Sequence, residues 1–189
     1  MSSPVGATSQ RSSGGISEMY ASLGRRLFEA KDTQAAVKVI SELKKKLRGR
    51  IPSLDEVKVL FPDIIYTDNH TKQRNLIRYI LACFQTHSIA SVTIDFDGMT
   101  IEHLVPQSQI GSGKFTDEVV GQLGNLILVP SKLNEKLKNK NFKDKKKILQ
   151  SEGVAIPAEF VALSDITPKD IRQRTGNLAE QAYKQVWRL

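Results

Sequence analysis

At 189 residues, with 40% hydrophobic and 25% charged side chains, the chain has the size and composition of one well-buried globular domain and too little length for two large ones. No apolar run approaches the roughly 20 residues of a membrane span, and Met1-Ser-Ser-Pro-Val-Gly has no basic flank before an apolar core, so neither a membrane helix nor a secretory signal is read and a cytoplasmic location is expected. The single cysteine, Cys83, excludes an internal disulfide and a paired-cysteine zinc knuckle; within Ile80-Leu-Ala-Cys-Phe84 it is expected to be a buried core thiol.

Residues 1–15, rich in Ser, Gly and Thr without periodicity, read as a flexible tail. A helical layer is expected over residues 16–90. Met19, Leu23, Leu27 and Phe28 fall at helical spacing, as do Ala35, Val39, Ile40, Leu43 and Leu47, with Asp32 or Thr33 as cap and Gly49 as stop. Pro52-Ser53 opens a short helix closed by Pro62, and residues 72–86 present Leu76, Ile77, Ile80, Leu81 and Phe84 as one stripe. The texture changes at Ser91. Val92-Thr-Ile-Asp-Phe96 alternates, Asp97-Gly98 signals a tight turn, and Met99-Thr-Ile-Glu-His103 resumes in extended character, which predicts a hairpin delivering Glu102 and His103 to its end. Thr116 can cap a short helix, residues 125–129 read as a strand, and Pro130-Ser131 opens a lysine-rich helix with Leu133 and Leu137 inward. Phe142, Ile148 and Leu149 belong to one helix, and Thr167-Pro168 caps a last one interrupted at Gly176-Asn177. The fold class is therefore α+β, a single domain with a small mixed core over residues 91–150 and C-terminal helices over 151–189.

Net charge is +8, and residues 131–147 concentrate it: eight lysines stand against Glu135 and Asp144, a net of +6. A lysine run alone is most often a solvated helix face. Beside a phosphodiesterase site it favours a polyanion, because neutralised phosphates release condensed counterions.

That site is suggested by Ile101-Glu-His-Leu-Val-Pro106, followed by Gly124-Asn-Leu-Ile-Leu-Val-Pro130 and Asn134. Hydrolysis of a phosphodiester needs a base, a hard cation and oxygen ligands for that cation. Glu102 and Asn134 offer oxygens suited to magnesium or manganese. His103 is the natural base, and the Asn125 amide oxygen can receive its imidazole N–H. Adjacent strand residues face opposite ways, so the site is expected where the strand breaks, which Pro106 marks. Taken singly, each residue has a bland reading: Asn125 as a turn residue, Asn134 as a helix-surface amide. The combination makes the case.

Glu102-His103-Leu-Val-Pro106-Gln107, Leu123-Gly-Asn125-Leu-Ile-Leu, Asn134 and Asn139-Lys-Asn-Phe142-Lys-Asp-Lys145 together resemble the HNH nuclease domain that closes GmrSD-type, modification-dependent restriction endonucleases; Asp170-Ile-Arg-Gln-Arg174 and Val186-Trp187 resemble its last helix. The resemblance covers roughly residues 70–189. It implies a ββα-metal core in which His103 is the general base, Asn125 positions it, Glu102 and Asn134 hold one divalent cation, magnesium or manganese, and Lys145 with Lys132, Lys136, Lys138, Lys140, Lys143 and Lys146 flanks the DNA backbone. It further implies a restriction or phage-defence role and a separate sensor or NTPase subunit or domain, since the chain has no glycine-rich phosphate loop. The competing expectations are a non-catalytic nucleic-acid- or partner-binding module and an RNA-cleaving toxin.

Overall fold

In the computed structural model, which describes residues 15–88 and 96–187, the chain divides into two compact units between Ile51 and Pro52. The division falls inside the stretch expected to be one helical layer. In the first unit, α1 (Ile16–Phe28) and α2 (Thr33–Arg48) bury Met19, Leu23 and Val39 together. Asp32 caps α2 by accepting from the Ala35 N–H at 2.7 Å, and Glu42 joins the two helices through Arg26.

The second unit is α+β, with six helices around a two-stranded antiparallel sheet among its described residues. Ser53 and Glu56 form a reciprocal capping box that starts α3 (Leu54–Leu60). Helix α4 (Arg74–Ser88) follows, burying Ile77, Ile80, Leu81 and Phe84; Cys83 on this helix is only half-buried, because that stripe leaves it at the edge of the apolar face. Strand β1 (Met99–His103) pairs with β2 (Leu126–Pro130), with His103 opposite Leu126 and Glu102 opposite Ile127. The sequence placed Val92–Phe96 as the partner of β1. Residues 92–95 lie outside the described residues; among the described ones β1 pairs with β2, whose wholly apolar run can be buried on both faces.

Between the strands runs a 22-residue loop carrying α5 (Asp117–Gly121), which Thr116 caps through the Val119 N–H. Strand alternation then builds two cores, one on each side of the sheet. Ile127 and Val129 face a cluster with Leu104, Phe142, Leu149, Phe160 and Ile171, whereas Ile101, Leu126 and Leu128 face one with Ile77, Leu81, Leu123 and Leu178. Helix α6 (Ser131–Leu137) leaves β2 directly, and α7 (Phe142–Ser151) starts after a turn where Lys138 has φ 41°. The last helix, α8 (Pro168–Gln181), runs through Gly176-Asn177 without a break and ends in a π turn over Ala182–Val186. Among the described residues no helix is long and apolar enough to cross a membrane.

Candidate functional site

Glu102 and His103 are the last two residues of β1, and both are largely buried, at 5% and 7% exposure. Being neighbours in the paired strand, they leave it on opposite faces, and the break expected at Pro106 comes only after both. Glu102 meets α7: its Oε1 lies 2.6 Å from the Lys145 ammonium, which also donates to the main-chain oxygen of His103 at 2.5 Å. Lys145 is 1% exposed. Burial pushes the Glu102 carboxyl up and the Lys145 ammonium down, and each group's charge opposes the shift of the other. The expectation that Lys145 flanks a DNA backbone is therefore corrected. Helical spacing explains why: Phe142, Lys145 and Leu149 share the inner face of α7.

On the other face, the His103 ring stacks on Tyr66, with centroids 5.8 Å apart and planes 21° from parallel, and its Nε2 lies 2.8 Å from the Tyr66 main-chain oxygen. A carbonyl only accepts, so Nε2 carries the proton and Nδ1 is left as the basic nitrogen. Burial depresses the imidazole pKa; the Tyr66 carbonyl opposes that, the Lys145 charge adds to it, and Asp68 and Asp117 oppose it. The ring is thus neutral at neutral pH, the state a general base requires. The Tyr66 segment is tied down by its own N–H to Gly121 O at 2.9 Å and by the Asp68 N–H to Gln107 Oε1 at 2.8 Å.

Asn125 is fully buried and does not touch the imidazole. Its Oδ1 accepts from the Val105 N–H at 2.8 Å, and its Nδ2 donates to the Val105 and Val120 carbonyls at 2.9 and 2.8 Å. The register is the reason: one step beyond the His103–Leu126 pair, Asn125 faces the strand exit, where its main-chain oxygen also takes the Leu104 N–H. Asn125 therefore fixes the chain on which His103 sits, rather than the ring.

The Asn125 loop is in turn held by α8. A Cβ on Gly124 would lie 2.1 Å from Ile171 O and 2.4 Å from Thr175 Oγ1, so only glycine permits this approach. The Gly124 N–H donates to Thr175 Oγ1, and Arg174 donates to the Gly124 and Leu126 carbonyls at 2.7 and 3.2 Å. Burial pushes the Arg174 guanidinium down to about 10.

Asn134 on α6 reaches back to β1, donating from Nδ2 to Thr100 Oγ1 at 2.8 Å and to Ile101 O at 3.1 Å. Thr100 shares the Glu102 face of the strand. With its nitrogen committed, the carboxamide is left with its oxygen, the hard donor a divalent cation takes. One carboxylate and one carboxamide fit a magnesium-type ion that keeps several waters and completes its shell from phosphate. Among the described residues no group of three or more His, Cys, Asp or Glu side chains gathers to hold a metal.

Of the remaining lysines assigned to nucleic acid, Lys132, Lys138, Lys140 and Lys143 are exposed, and Lys136 is exposed but paired with Glu152 at 2.6 Å. The Lys146 ammonium is held by the Val161 and Leu163 carbonyls, which ties it to the surface rather than to solvent. A cleft of about 300 Å³ beside the strand exit is lined by Val105, Pro106, Lys114, Phe115, Asn141 and Lys143.

Residues 55–181, about two thirds of the chain, match the family model of the GmrSD restriction endonucleases, C-terminal domain. The chain belongs to this family. No curated protein and no solved structure matches it. Membership of the GmrSD C-terminal family makes the chain a restriction-type nuclease domain. Sequence reading missed two parts of this GmrSD domain. The Tyr66 carbonyl left no signal, being a main-chain atom 37 residues from its imidazole, whereas the inward position of Lys145 was readable from the period of α7.

Proposed function

We propose that this domain is a metal-dependent HNH endonuclease that hydrolyses DNA phosphodiester bonds, with β1, β2 and α6 as its ββα-metal core. The observation that carries the reading is the anchoring of Asn134 to Thr100 and Ile101, which brings the helix carboxamide to the strand that ends in Glu102 and His103. His103 Nδ1 takes the proton of the attacking water, while Nε2–H stays on the Tyr66 carbonyl and keeps the ring aimed. Glu102 and Asn134 hold one magnesium or manganese ion, which when bound supplies charge neutralisation at the phosphate and the leaving oxygen. Asn125 keeps residues 104–105 in place. The exposed lysines of α6, of the turn after it (Lys138 and Lys140) and of α7 bind backbone without reading bases.

In this reading the domain is the cutting part of a restriction or phage-defence system working in the cytoplasm, and target choice belongs to a sensor or NTPase subunit or domain. Incubation of supercoiled plasmid with magnesium or manganese tests it. Nicking by the wild type that His103→Ala loses is the expected result. Equal behaviour of the two proteins, or cleavage of RNA alone, overturns it.

A further inference from the structure

The Lys145–Glu102 contact has a bearing on how the metal is loaded. We infer that Lys145 is a built-in counter-charge that makes the divalent cation bind together with the scissile phosphate rather than before it; this rests on the metal-site reading above. Glu102 contributes one negative charge, Lys145 cancels it from 2.6 Å, and the Asn134 carboxamide adds none. The protein's own donor set therefore has no net charge with which to hold a divalent ion. Lys145 cannot swing away to solvent: it is 1% exposed, its second bond goes to His103 O, and Phe142 and Leu149 fix its helix face. Burial also spares the pair most of the screening that weakens surface charges. Asp68 and Asp117 act on His103 rather than on the Lys145 pair, Asp117 being bonded through one oxygen to Asn69 and His70 and Asp68 to Gln107. The missing negative charge is the one a phosphodiester brings.

Manganese binding to the full chain, read from the free-ion signal in electron paramagnetic resonance, tests this in a His103→Ala background so that added duplex survives. The expected result is an affinity at least tenfold higher with a short DNA duplex than without it. Adding Lys145→Met should raise the affinity of the DNA-free protein at least tenfold and shrink the effect of duplex. Equal affinity with and without duplex, or no gain in a folded Lys145→Met protein, overturns the inference; if that variant does not fold, the first comparison decides alone. Adding Glu102→Gln separates this from the underlying reading: if it leaves protein-dependent manganese binding in the presence of duplex intact, the metal site itself is misassigned.

Discussion

The two faces of the end of β1 solve the same problem by different means. On one, a buried side chain from α7 holds Glu102 by charge; on the other, a main-chain oxygen holds His103 by a single hydrogen bond and a stacked ring. A charged partner is strong but leaves a buried ion if it is removed, whereas a carbonyl fixes a tautomer without altering the charge of the base. Glu102 is thus coupled to folding stability, and His103, in its proposed role, mainly to chemistry.

Substitutions on the two faces should separate these effects. His103→Ala is expected to lower turnover about 10²–10⁴-fold, roughly 3–5 kcal/mol of barrier, measured as plasmid nicking at saturating metal. Lys145→Met, on the opposite face, is expected to cost about 3–5 kcal/mol in urea unfolding because it strands a buried carboxylate; a cost no larger than that of His103→Ala would erase the distinction. Gly124→Ala acts on the support shared by both faces and should destabilise by about 1–3 kcal/mol through the clash with Ile171 and Thr175.

Acid titration isolates the imidazole face. The His103 pKa is depressed in the folded state, so the unfolded chain takes up its proton first, near the ordinary value of about 6.5. Its contribution is complete above that pH and is lost as pH falls toward the lower folded value; His103→Gln should flatten the unfolding free energy over that window. The smallest effect on stability is expected at the exposed lysines. Lys132→Ala with Lys140→Ala should leave unfolding unchanged and reduce the salt dependence of DNA binding by a slope of about 2.

Most helices were legible because their apolar period and caps are local: Ser53 with Glu56, Asp32, Thr116 and Thr167 all start helices where the sequence puts them. The partner of β1 was not, since pairing Met99–His103 with residues 126–130 depends on a closure across the α5 loop that no local pattern records. In the site, the identities of Glu102, His103, Asn125 and Asn134 were readable, but their contacts were not equally so. Asn125 was assigned to the ring and instead grips Val105, a consequence of register alone. The lysine run looked uniform, yet the helical period of α7 turns Lys145 into the core while Lys143 stays outside.

The fit between Gly124 and α8 limits how this domain can be cut down. Asn125 keeps its place through Gly124, and Gly124 keeps its place through Thr175 and Arg174, some 50 residues further along the chain. A fragment ending at residue 150 would retain Glu102, His103, Asn125 and Asn134 and still lack the brace behind them. The smallest piece worth expressing for inhibitor screens or fusion to a targeting module must run through the end of α8.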